Sequence, residues 1–362
     1  MIDDVFVINA VTHAYNLHDD NLRPNRYATA LRDLFVNLHQ GWNPPGLQVP
    51  PDVFVSDWPI EVLARTLFLE TDVDMGVNHN LRIDSLFHDG LTSRAKNVEA
   101  GTRWPQRFLT YVGVDPMQGL DACLRDLEEQ VRELPDSVGL KMYPDAVEPF
   151  RQFRMDDPEL AYPLFARAQE LGIRTVAVHK AVPNGPVPMN PYRVDDVDGA
   201  AATFPDLSFE IIHSGMAFVE ETAYALARFP NVYANLEITT LLMHAAPGLF
   251  EEVLANFLFW GGPEKILYAD GTLFCHPQPL LEKFWNLQLP ERLLEKYKLE
   301  QLSPETKRLI LGGNYARMVG LDVEAARARI ADDEFARERR ATGRQEAYSN
   351  WLRAAGREAV TA

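Results

Sequence analysis

The chain has 362 residues, 46% of them apolar, and a formal charge of −17. That length supplies one large domain or two ordinary ones with a full core. The charge excludes a phosphate-binding face and argues against an anionic membrane surface, so neither nucleic acid nor membrane is expected as a partner. Two distant cysteines, Cys123 and Cys275, make neither a disulfide framework nor a cysteine zinc site. MIDDVFVINA has no basic leader followed by a long apolar stretch, and a cytoplasmic protein is expected.

In chain order, VFVINAVTH reads as a first strand, followed by a helix over RYATALRDLFVNLHQ. The segment between Trp42 and Trp58 is proline-rich and is expected to be irregular, as a lid or an interface. IEVLARTLFLET is helical, and Glu70 at its end reads as a solvated or capping acid. VDMGVNH, FLTYVGVDP, VGLKMYP, RTVAVHK, SFEIIHSG, NVYANLEIT and ILYADGTLF read as seven further strands, with helical segments between most of them. Eight such units predict a parallel α/β fold, a (β/α)8 TIM barrel over residues 1–321. The runner-up, an open doubly wound sheet, lacks a Gly-rich turn after the first strand. Residues 322–362 form a helix-prone, charged extension carrying Ile330, Phe335, Tyr348, Trp351 and Leu352. It either packs on its own barrel or reaches another subunit.

Catalytic groups of such barrels sit at the C-terminal strand ends. The residues there are His13, His79, Lys141, His179, His213, Glu237 and Asp270. Imidazole with carboxylate suits a divalent metal, Fe, Mn or Zn. His13, His179, His213 and Asp270 are the expected ligands, with His79 as a further one. Lys141 is a candidate substrate anchor, and Glu237 a ligand or a group that holds one. His18, in the loop after the first strand, is a weaker candidate. His39, His88, His244 and His276 lack a strand-end context and read as structural. Alternation puts Val5, Val7, Asn9, Val11 and His13 on one face, with Asn9 beneath His13.

The order His13 / GLKMYP / AVHK / EIIHSG / ILYADGTLF, closed by ILGGNYARMVGL, resembles the amidohydrolase superfamily. It is most similar to the amidohydrolase-related branch of aminocarboxymuconate-semialdehyde-type decarboxylases and small hydrolases. The resemblance implies a metal-dependent barrel in which Asp270 handles the proton. Two departures stand out: Val11 replaces the first histidine of an H-x-H, and Asn9 stands where the branch often has Asp.

The VTHAYN start, the length and the tail also resemble a two-subunit hydroxylase group acting on 2-aminoisobutyrate. That implies a Mn/Fe or Fe centre that activates O2, in a homo- or hetero-oligomer. Three functions follow as expectations. The leading one is a subunit of an O2-activating hydroxylase acting on a small amino acid. The others are a mononuclear hydrolase or non-oxidative decarboxylase of a small carboxylate, and a non-catalytic structural subunit.

Overall fold

In a computed structural model describing residues 4–357, the eight expected strands are all present. They are β1 (Ile8–Thr12), β2 (Met75–His79), β3 (Phe108–Gly113), β4 (Gly139–Met142), β5 (Thr175–His179), β6 (Ser208–Ile212), β7 (Val232–Asn235) and β8 (Ile266–Leu267). Each pairs in parallel with the next in the chain. Between β8 and β1 the ring is drawn together by Ala10 N–H to Tyr268 O at 3.0 Å and His13 N–H to Thr272 O at 2.6 Å. The barrel is thus nearly closed, with helices outside it. Among the described residues no helix is long and apolar enough to cross a membrane.

The first strand departs from simple alternation. Its pairing with β2 shifts between Asn9 and Thr12, so Ala10 and Val11 both join the apolar cluster inside the barrel. An extra residue in a strand reverses the parity of everything beyond it. Ile8 and Ala10 face inward before the slip, Val11 and His13 after it. Asn9 therefore does not lie beneath His13, as alternation predicted. It turns outward and donates to Asp270 Oδ1 at 2.6 Å and to Thr272 Oγ1 at 3.0 Å.

The opposite end of the barrel is plugged by the helix Asn314–Val319, from the GGNYARMVGL motif. Tyr315 donates to the Tyr111 hydroxyl at 2.8 Å inside the barrel. Gly312 allows this approach: a Cβ there would lie 2.2 Å from the Phe6 carbonyl oxygen. The proline-rich segment holds more regular structure than expected, a 3-10 turn at Pro45–Leu47 and a helical turn at Pro51–Phe54. Prolines at helix starts explain both, since the missing N–H has no partner there anyway.

The C-terminal extension forms helices Val323–Ile330, Glu334–Thr342 and Ser349–Ala354. Ile330, Phe335, Tyr348, Trp351 and Leu352 are buried on the chain's own barrel. Glu70 fastens the last helix. It is not a solvated acid but is 1% exposed. Its carboxylate accepts from Tyr348 N at 2.7 Å, Asn350 N at 2.9 Å, Asn350 Nδ2 at 2.6 Å and Ser349 Oγ at 3.3 Å. His276 Nε2 lies 3.1 Å away on the other side. A buried carboxylate survives only with such compensation. Glu70→Ala should cost about 1–3 kcal/mol in urea unfolding, because the donors stay buried without an acceptor. Limited proteolysis of that variant should release the last helix before the barrel is cut.

Candidate functional site

At the C-terminal end of the barrel is a narrow cavity of about 60 Å³. His13, Lys141, His179, His213 and Glu237 line it. They follow or end β1, β4, β5, β6 and β7, so five distant segments deliver one group each. Tyr15, Phe35, Trp42, Tyr143, Met216 and Ile238 add apolar and aromatic wall.

The imidazoles are held in different ways. His179 Nε2 lies 2.6 Å from Val182 O, and His213 Nδ1 lies 3.3 Å from Glu237 O. Their inner nitrogens, His179 Nδ1 and His213 Nε2, face each other at 3.0 Å. The His13 ring stacks on Tyr15, with centroids 5.0 Å apart, and its Nδ1 is buried without a partner. The Glu237 carboxylate contacts His213 Nδ1, and neither of its oxygens makes a hydrogen bond among the described residues. Lys141 is 2% exposed. Among the described residues its ammonium makes no hydrogen bond or ion pair, only a contact over the Tyr143 ring at 5.2 Å.

Burial dominates the electrostatics. It holds His13 and His179 well below the usual imidazole range, with Lys141 and neighbouring imidazoles adding to the effect. Both rings are therefore neutral, the form that binds metal. Burial also pulls the Lys141 amine down to about 8, against the opposing pull of Glu237 and Glu210.

The remaining expected residues lie elsewhere. His79 is one layer deeper, with Nε2 at 3.1 Å from Ala10 O and its ring stacked on Tyr111 at 4.2 Å. It meets the edge of His13 at 5.8 Å but does not line the cavity. Asp270 is behind the wall. Leu267 and Ala269 face into the barrel, while the Tyr268 ring packs on Phe284 outside, at 5.9 Å. Asp270 shares the parity of Tyr268, and its Oδ2 accepts from the Tyr268 hydroxyl at 3.2 Å. Its Oδ1 is taken by Asn9 at 2.6 Å and by Thr272 Oγ1 at 2.5 Å. Burial raises this carboxyl to about 6, the hydrogen bonds opposing the rise. His18 is exposed and accepts from Asp20 N as a local cap.

Three relevant residues escaped the sequence reading. Tyr15 and Tyr143 stand two positions beyond His13 and Lys141, and an i, i+2 rule at strand ends would have found them. Glu210, a charge inside an apolar strand, was a further signal. It accepts from Tyr111, from Thr175 Oγ1 at 3.0 Å and from Asn235 Nδ2 at 2.8 Å beneath the site.

The donor chemistry fits a divalent cation in part. With the outer nitrogens of His179 and His213 turned to backbone carbonyls as donors, the inner ones are two lone pairs at 3.0 Å. That pair repels unless a proton or a cation lies between them. His13 Nδ1 and the Glu237 oxygens add unused donors nearby. Among the described residues, however, no three His, Cys, Asp or Glu side chains already form a closed metal cage.

The chain matches the family model for amidohydrolases over residues 67–321. No curated protein matches it. Among solved structures, an uncharacterized TIM-barrel protein from Bordetella bronchiseptica is 18% identical, with a TM-score of 0.61 over 88% of this chain and 99% of that one. The 2,6-dihydroxybenzoate decarboxylase from Rhizobium is 14% identical, with a TM-score of 0.57 over 88% of this chain and 99% of its own. A 5-carboxyvanillate decarboxylase from Novosphingobium aromaticivorans, solved with bound manganese, is 12% identical, with a TM-score of 0.55 over 88% and 98% of the two chains. At these identities the structures establish a shared fold, and these relatives lend nothing to a resemblance to a hydroxylase. The family match spans well over half of the 362 residues, and the chain belongs to the amidohydrolase family.

Proposed function

We propose that the chain is a metal-dependent enzyme that removes carbon dioxide from a small carboxylic acid without using oxygen. The observation that carries this reading is Lys141, an ammonium buried in the cavity beside the imidazoles that makes no hydrogen bond or ion pair among the described residues. A buried cation of that kind is stabilised by an incoming carboxylate. The names of two structural relatives, both decarboxylases, point the same way.

His179 and His213 would hold the cation, with His13, whose Nδ1 has no partner, completing the set after a small side-chain movement. A divalent cation there supplies Lewis-acid polarisation of a substrate oxygen. The chain's own residues do the rest. Lys141 anchors a carboxylate, and the Tyr15, Phe35, Trp42 and Met216 wall restricts the entry of water. When the C–C bond breaks, its electron pair stays on the substrate carbon and CO2 leaves. Glu237, which lines the cavity, is the group placed to relay a proton from water to that carbon, leaving hydroxide behind. Asp270, hydrogen-bonded behind the wall, has no part in this scheme. Hydrolysis of a small carboxylate is the near variant, with Glu237 taking a proton from an attacking water instead.

A second reading, the O2-activating hydroxylase subunit, draws on one observation. The cavity set of His13, His179, His213 and Glu237 is the mixed histidine and carboxylate type that suits iron.

Elemental analysis of protein purified without added metal, beside His13→Ala and His179→Ala, tests both readings. Manganese or zinc near one equivalent, reduced in both variants, is the result expected. Iron with O2 consumption would replace the decarboxylase by the hydroxylase. No metal would leave a non-catalytic subunit. With a turned-over acid in hand, Lys141→Met should raise KM about 10–100-fold with a smaller change in kcat, the loss of one charge-assisted contact. Only the protonated amine binds a carboxylate, and Lys141 loses its proton near pH 8. Wild-type KM should therefore rise between pH 7 and 9, while that of Lys141→Met stays flat.

A further inference from the structure

The C-terminal extension lies outside the matched family region, which ends at residue 321, yet it reaches the wall of the site. Glu70 grips residues 348–350 and so seats the next residue, Trp351, in a buried aromatic group. From there the rings run in sequence. Trp351 meets Trp58 at 4.7 Å, Trp58 meets Tyr15 at 4.8 Å, and Tyr15 stacks on His13 at 5.0 Å with planes 21° apart. The middle of the series is tied to the main chain twice, by the Trp58 backbone N–H to Tyr15 O at 2.8 Å and by its indole N–H to Phe54 O at 2.6 Å.

His13 depends on this series more than the other cavity imidazoles do. Backbone carbonyls orient His179 and His213. Among the described residues no hydrogen bond reaches the His13 ring, and the Tyr15 hydroxyl has none either. Packing alone fixes both rings. Interiors packed at crystal density transmit a missing side chain to the next layer.

We infer that Trp351 is a positioning residue for the site, holding the His13 imidazole in place through Trp58 and Tyr15. The contact is one of shape. The Trp351 indole N–H makes no hydrogen bond among the described residues, so a phenyl ring keeps most of the support and a methyl group removes it. The inference rests on the assignment of His13 to the site, but its geometry does not need a metal to be present.

The test is diethyl pyrocarbonate labelling of the full chain, read by peptide mass spectrometry well below the unfolding temperature. Trp351→Ala, Trp351→Phe and wild type are compared. The quantity read is the labelling rate of His13 divided by that of His179 and His213 in the same molecules. The expected result is a ratio raised at least about fivefold in Trp351→Ala and within about twofold of wild type in Trp351→Phe. General loosening would raise all three imidazoles together and leave the ratio unchanged, which overturns the inference. An unchanged ratio with no added labelling overturns it equally. If Trp351→Ala does not fold, Trp351→Leu takes its place under the same criterion. Mn2+ titration of the same proteins keeps the two claims apart. Wild type that takes up no Mn2+ removes the metal reading, while the labelling ratio still decides the positioning role of Trp351.

Discussion

The seam where β8 meets β1 governs the site. β8 is two residues long, too short to close a barrel by strand pairing alone. Closure falls to two backbone hydrogen bonds, from Ala10 and His13, and to a buried polar knot of Asn9, Asp270 and Thr272. The knot sits outside the barrel wall, so Asn9 and Asp270 must both point outward. His13, past the register slip, is then left pointing in. One local shift in pairing therefore decides which acid and which imidazole are available for chemistry.

The cavity gathers three imidazoles, an ammonium and a carboxylate in a space with little water to screen them. Low dielectric makes each charge there costly unless another answers it. His13 and His179 respond by staying neutral, and the amine by giving up its proton more readily. Beneath them Glu210 spends its oxygens on Tyr111, Thr175 and Asn235, and it adds to the pull of Glu237 on Lys141 without touching it. Glu70 solves the same problem away from the cavity by recruiting main-chain donors from the tail. Both acids are buried. One tunes the site and the other assembles the wall behind it.

The extension is thus continuous with the barrel in a physical sense. Its charged residues pair with the barrel, Asp333 with Arg107 and Arg339 with Asp72, and its aromatic residues pack on rings outside the strands, Phe335 on Phe68 and Trp104, and Trp351 on Phe54 and Trp58. These pairs are largely buried, where the cost of desolvating both charges offsets much of their attraction. The buried carboxylate and the ring packing carry the docking.

Much of this was legible in the chain itself. Eight apolar runs spaced by helices determine a parallel barrel, because strands covered on both faces must be apolar throughout. Strand ends name His13, Lys141, His179, His213 and Glu237, because a parallel barrel points all its C-terminal ends one way. Side-chain direction was legible only where alternation holds. A slip of one residue in β1, invisible in composition, reversed Asn9. The parity of β8 sent Asp270 behind the wall although its motif position suggested otherwise. Glu70 looked like a surface acid because its partners lie some 280 residues away in the chain. Local pattern reports what a residue can do; which neighbour it meets depends on register and on contacts between distant segments, and these exist only once the chain has folded.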